Sequence, residues 1–257
     1  MKNIFIEAGV NHFGDLKEAN KILSWFLKSE FRNITYMLQT NEFYQNQEKF
    51  FGIDFKLEKN FYKSAIKKCH KKNKKIGLAV CRLKTYQNLI DLNFDFFKLL
   101  GLGIDQKDLI NQIKKKKKPV FISTGFNASD RKIKKCISTF GTNKKINLLY
   151  SPMTYDLNEI DLDKINYYKK KFKKPVGFSN HTDNKDVLNI LTAYKPEYLF
   201  IYCKSIYKRN RIYPDDKHAF FFNEINKIVS NYLKYIKMAY SKKKLKKIKI
   251  FANEFKK

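Results

Sequence analysis

The sequence is poor in the residues that usually announce a function. It has four cysteines in 257 residues, Cys69, Cys81, Cys136 and Cys203, far apart and without a CxxC pair. That excludes a zinc ribbon and a disulfide framework and reads as free thiols. No stretch of 18 apolar residues occurs and no apolar leader precedes the first strand pattern, so the reading is a soluble, cytoplasmic protein with no membrane partner. Glycine is scarce, nine in all. The first strand pattern runs into GVNHFGD rather than GxGxxG, which argues against a dinucleotide-binding sheet. Arginine is nearly missing: Arg32, Arg82, Arg131, Arg209 and Arg211 are the only five among 54 basic residues. Specific readout of phosphate and guanine favours arginine, and the lysines are spread along the chain. The formal net charge of +30 is therefore read as compositional, and no nucleic-acid partner is expected.

What is present is a core. Apolar residues make up 43% and aromatics 16%, too much for a disordered chain. Apolar runs rich in β-branched and aromatic residues alternate with amphipathic stretches. The runs are Asn3–Gly9, Ile34–Gln39, Ile76–Leu83, Phe94–Leu100, Pro119–Ser123, Ile146–Met153, Pro175–Ser179 and Tyr198–Lys204. Helical patterns follow Asp15, a natural N-cap, and cover Phe61–Lys74, Gln106–Lys117, Ser129–Phe140, Leu162–Phe172, Lys185–Tyr194 and a last stretch from about His218 to Tyr240. Thr40–Asn60 fits neither period. Eight strand–helix units in this length predict a (β/α)8 TIM barrel over 1–240, followed by a Lys-rich tail, 241–257.

Barrels of this class carry their chemistry at the C-terminal ends of the strands. Polar residues collect there: Glu7, Asn11 and His12 after strand one, Gln39 after strand two, Lys98 in strand four, and Ser123 and Thr124 after strand five. Thr154 and Tyr155 follow strand six, Ser179, Asn180 and His181 strand seven, and Lys204 ends strand eight. A carboxylate or an ammonium inside an apolar strand needs a partner of opposite charge. Lys98, in FDFFKLL, therefore demands a carboxylate or a bound anion.

Three segments resemble the N-acetylneuraminate (sialic acid) synthase family, in its order and spacing: IEAGVNHFGDLKEA (Ile6–Ala19), KPVFISTGF (Lys118–Phe126) and KKPVGFSNHT (Lys173–Thr182). Pro214–Ala219 is a weaker echo. The resemblance implies condensation of phosphoenolpyruvate with an N-acetylated amino sugar, such as N-acetylmannosamine, to give a nonulosonic acid and phosphate for surface glycans. It implies catalytic roles for Glu7, Gln39, Lys98, His181 and Lys204. Substrate contacts fall to Asn11, His12, Ser123, Thr124, Tyr155, Ser179 and Asp216. It also implies a divalent metal, Mn or Mg, on His181.

Departures from the family pattern bear on these roles. Met37 replaces a lysine, Gly101 and Met153 replace polar positions, and Asn180 replaces an aspartate. Lys204 stands where the second metal histidine is expected, so His181 with water and Asp216 would make a weak site. A protonated lysine has no lone pair for a metal. It could instead polarise a carbonyl by its charge. The family's antifreeze-like C-terminal domain is not in the sequence, which leaves a homodimer or a separate closing subunit as partner. The alternative reading is a non-catalytic barrel of the same family that binds a sugar or a partner protein.

Overall fold

A computed structural model describes residues 3–126, 128–141, 145–205 and 212–240. The expected tail, 241–257, lies outside the described residues. Eight parallel strands form a closed barrel: β1 (Ile4–Gly9), β2 (Asn33–Met37), β3 (Lys75–Val80), β4 (Phe96–Leu99), β5 (Val120–Ser123), β6 (Ile146–Tyr150), β7 (Val176–Ser179) and β8 (Leu199–Lys204). Each pairs with the next, and β8 pairs back onto β1, with Phe5 opposite Phe200 and Glu7 opposite Tyr202. The expected (β/α)8 barrel is therefore the fold.

Side chains alternate across each strand. Ile4, Ile6, Ala8, Leu199, Ile201 and Cys203 face outward into the layer between strands and helices, where most of the core lies. Phe5, Phe96, Phe121, Leu149 and Phe200 face inward and plug the barrel. Phe5 stacks on Phe200 at 4.3 Å between ring centroids and meets Phe96 and Phe121 edge-on at 5.0 and 4.9 Å. Such pairs contribute about 0.5–1.5 kcal/mol each beyond their burial. Polar residues lie on both sides of this plug: Asn33 and Asn147 below it, and Glu7, Lys98 and Ser179 above it, at the C-terminal mouth.

The helices follow their caps. Asp15 accepts hydrogen bonds from the backbone N–H groups of Lys17 and Glu18 and starts α1 (Leu16–Lys28), which buries Ala19, Ile22, Leu23 and Phe26. Thr40 caps α2 (Asn41–Phe51), the segment whose sequence fits neither period, and Gly52 ends it in the left-handed conformation. Then come α3 (Lys59–Lys71), the short α4 (Leu83–Tyr86), α5 (Lys107–Lys115), α6 (Asp130–Phe140), α7 (Lys164–Phe172) and the short α8 (Asp186–Ile190). The last helix, α9 (Phe222–Ala239), begins four residues later than expected. Phe220 and Phe221 instead form a two-residue strand against Cys203 and Lys204. The four cysteines are all buried and unpaired. Among the described residues no helix is long and apolar enough to cross a membrane.

Candidate active site

Lys98 is fully buried on β4, and its ammonium does find a partner of opposite charge. Nζ donates to both oxygens of Glu7, at 2.6 and 2.8 Å, and to Ser179 Oγ at 2.9 Å. Ser179 Oγ in turn donates to Glu7 Oε2 at 3.1 Å. Residues from β1, β4 and β7 thus close one triangle across the barrel. Its floor is aromatic: the ammonium lies 5.3 Å from the Phe200 ring centroid and 5.5 Å from that of Tyr202. With the charges desolvated and mutually satisfied, neither can be removed alone without exposing the other to an apolar cavity.

His181, just beyond β7, sits beside this triangle. Its Nδ1 lies 3.0 Å from the Ser179 carbonyl oxygen. A carbonyl only accepts, so Nδ1 carries the proton and Nε2 the lone pair. Burial, then the nearby charge of Lys98, then His218, hold its pKa well below the ordinary imidazole value. Its ring lies 5.4 Å from Tyr202 and 5.2 Å from His218 between centroids.

The loop after β8 completes the mouth with Asp215 and His218, which lie in the weak family echo Pro214–Ala219 and have no role assigned from the sequence. His218 Nδ1 is 3.0 Å from the Tyr155 hydroxyl, and His218 Nε2 is 3.6 Å from Asp215 Oδ1. Burial, followed by the charges of Lys98 and Lys204, lowers the His218 pKa to about 4. Asp215 is mostly enclosed, with its side chain 15% exposed, and its Oδ2 is buried without a hydrogen-bond partner. Burial, and secondarily the negative Glu7, push its pKa up to about 7. Asn11 holds this loop down: its Oδ1 accepts from the Asp215 backbone N–H at 3.0 Å, and its Nδ2 donates to the Cys203 carbonyl at 2.9 Å. Gly9 makes the approach possible. Its φ is +55°, and a Cβ there would collide with Asp215 Oδ2 and meet the Tyr202 ring at 2.9 Å.

The other expected residues are placed as follows. Lys204 points into the mouth from the end of β8, but donates at 2.8 Å to both the carbonyl and Oδ1 of Asp216 and lies 4.6 Å from the Phe221 ring. Asp216 is thus Lys204's counter-ion on the rim, while its neighbour Asp215 is the one that reaches the interior. Ser123 Oγ donates to Ser151 Oγ at 2.8 Å, and Thr124 Oγ1 to the Leu149 carbonyl at 3.1 Å. Ser151, at the exit of β6, is a further buried polar residue that no motif marks. Gln39 is half-buried, its Nε2 3.4 Å from Met37 Sδ. His12 is buried beside Tyr36, 6.0 Å between ring centroids, its Nδ1 accepting from the Gly14 N–H at 3.0 Å, and burial lowers its pKa to about 3. Its Nε2 has no hydrogen-bond partner.

Among the departures from the family pattern, Gly101 has a local steric cause. A side chain at Gly101 would run into the carbonyl of Gly125, whose carbon would lie 2.9 Å from the new Cβ. The loop carrying Ser123 and Thr124 therefore packs where a serine would need to be. Met153 is half-exposed and borders Gly125. Asn180 donates to the Thr182 carbonyl at 3.0 Å, and its Oδ1 is buried without a partner. Among the described residues no three of His, Cys, Asp or Glu come together in a way that could hold a metal ion.

Comparison with known proteins agrees with this architecture. N-acetylneuraminic acid (sialic acid) synthetase from Leptospira borgpetersenii superposes with a TM-score of 0.81 at 20% identity, over 94% of this chain and 86% of its own. A spore coat polysaccharide biosynthesis protein from Bacillus subtilis superposes with a TM-score of 0.76 at 17% identity, over 90% of this chain and 67% of its own. At these identities the likeness establishes the fold. In sequence, the chain is 27% identical over 205 residues to N,N'-diacetyllegionaminic acid synthase of Campylobacter jejuni, a match covering 70% of this chain and 60% of that protein. The model of the NeuB family matches residues 2–244, nearly the whole length, and the chain belongs to the NeuB family.

Proposed function

We propose that the barrel mouth condenses phosphoenolpyruvate with the aldehyde of an N-acetylated amino sugar. The enol carbon of the donor bonds to the aldehyde carbon, one water is consumed, and a nonulosonic acid and inorganic phosphate leave. The observation that carries this reading is the buried Lys98–Glu7–Ser179 triangle at the C-terminal end of a barrel that belongs to the NeuB family.

The triangle suits a donor with two anionic groups. Lys98 is neutralised by Glu7 while the mouth is empty of substrate. An arriving carboxylate or phosphate competes for the same ammonium, and two anions cannot share one cation in a dry site without one taking a proton or turning away. Glu7, released from Lys98, becomes the base that takes a proton from the attacking water. Ser179 and the Ser123–Ser151 pair donate to donor oxygens. His181 offers its Nε2 lone pair to a sugar hydroxyl, and Gln39 and Tyr155 line the acceptor side.

The acceptor carbonyl needs a positive partner as its oxygen gains charge. A divalent ion suits this donor set poorly, because Lys204 takes the β8 position and binds Asp216, the carboxylate that would otherwise assist His181. Lys204 itself has three N–H donors, of which two are used on Asp216. The third is directed to the aldehyde oxygen.

The test is phosphate release from phosphoenolpyruvate and N-acetylmannosamine by the full chain. Release that persists in EDTA and is lost in a Lys204→Met variant supports the reading. Restoration of an EDTA-inactivated enzyme by manganese would overturn the role of Lys204. Sugar binding without any release would leave a non-catalytic barrel.

A further inference from the structure

The opposite, N-terminal end of the barrel holds a cavity of about 780 Å³, within the range of small-molecule sites. Its floor is the underside of the aromatic plug: Phe5, Phe96, Phe121 and Tyr198 line it. These rings meet one another edge-on, Phe121 and Tyr198 at 5.1 Å and Phe5 and Tyr198 at 5.9 Å between centroids. Gly77 on β3 leaves space for them, since the Phe96 ring lies where its Cβ would be. Arg32, Lys75 and Lys145 stand at its rim, ahead of β2, at the start of β3 and ahead of β6. The side chains of Arg32 and Lys75 have no hydrogen-bond or ion-pair partner among the described residues. The acidic residue in the lining, Asp95, is already engaged: its Oδ2 accepts from the Ile76 N–H at 2.9 Å and lies 3.0 Å from His70 Nε2. An aromatic floor under unpaired cations matches one kind of ligand, a flat ring that carries negative charge.

We propose that this cavity is a second small-molecule site, for an anion built on a planar aromatic ring, separate from the catalytic mouth. The two ends are close in structural terms. Phe5 stacks on Phe200, and Phe200 lies directly beneath Lys98. A ring seated on Phe5 is thus one side chain away from the ring under the catalytic ammonium.

The probe is the fluorescent aromatic anion anilinonaphthalene sulfonate, titrated into the full chain at physiological salt. The expected result is saturable binding of one probe per chain, weakened at least about tenfold in an Arg32→Glu, Lys75→Glu variant. A control with the same change in net charge, Lys134→Glu with Lys135→Glu on the exposed face of α6, keeps the affinity of the parent chain. Equal weakening in both variants would reduce the effect to net charge and overturn the proposal. So would non-saturable binding, or displacement of the probe by phosphoenolpyruvate, which would put it in the catalytic mouth. Displacement by adenosine monophosphate but not benzoate identifies a nucleotide as the ligand class, and the reverse identifies an aromatic acid. Displacement by neither overturns the shared chemistry.

Discussion

At the scale of single residues, one ion pair decides most of the behaviour. Lys98 and Glu7 are both buried, so Lys98→Met strands a carboxylate in an apolar cavity and costs about 3–5 kcal/mol. The double variant Lys98→Met, Glu7→Gln removes both charges and recovers most of that loss, while phosphate release stays abolished. Urea unfolding beside a release assay separates the two effects. If the single and double variants were equally unstable, the pair would not be the coupled unit described above.

Asp215 makes a second residue-scale prediction, with a definite sign. Its folded pKa, about 7, lies above the ordinary aspartate value, so the folded state holds the proton more tightly. Its contribution is full below about pH 4 and is lost as pH rises through about 7. The stability of the parent chain relative to Asp215→Asn should therefore fall between about pH 4 and 7 and level off above it. His218, with its pKa lowered to about 4, acts in the opposite direction, adding stability as pH rises from about 4 to 6.5. Comparing the two variants, Asp215→Asn and His218→Gln, by thermal unfolding across this range resolves the two contributions. A flat difference for Asp215→Asn would contradict the assigned burial.

At the scale of elements, what could be read from the sequence depended on whether neighbours or distant contacts set the structure. The strands were legible because both faces are buried, which gives continuous apolar runs. Lys98 stood out for the same reason, as one ammonium among phenylalanines. Strand ends depart from the apolar runs where a local breaker acts. β6 ends at Tyr150 rather than Met153, just before Ser151 and Pro152, where the proline lacks a ladder donor. Residues 81–83 turn away from β3, and Leu83 opens α4. The α2 helix was hidden by a polar, weakly patterned face, although Thr40 and Gly52 mark both of its ends. Asp215 and His218 fall in the weak family echo Pro214–Ala219, but their roles were not legible, because the loop after β8 is placed by Asn11, 204 positions earlier in the chain. Gly9 is the element-scale test. Gly9→Ala meets both the positive φ and the Asp215 carboxylate, and is expected to cost about 1–3 kcal/mol and to release the loop. Hydrogen exchange at the Asp215 amide measures the release, and unchanged protection would mean that Gly9 does not hold the loop.

At the scale of the whole molecule, the barrel divides its interior into three levels. An aromatic plug fills the middle, a charged and hydroxylated layer sits on its upper side, and the cation-rimmed cavity opens below. The plug keeps water from reaching Lys98 and Glu7 from beneath, which preserves the low dielectric that gives their interaction its strength. The match to the NeuB family covers residues 2–244, so the family relation rests on the barrel as a whole rather than on one motif. The surface lysines are a separate matter. They produce the charge of +30, while the buried cations at the mouth, Lys98 and Lys204, are paired with Glu7 and Asp216.

The central claim is that Lys98 at the barrel mouth is there to hold a small anionic donor. Calorimetric titration of phosphoenolpyruvate into the parent chain and into the folded Lys98→Met, Glu7→Gln variant tests it most directly. Saturable binding to the parent, weakened by about one to two decades in the variant, is the predicted result. Equal affinity for both proteins would contradict it.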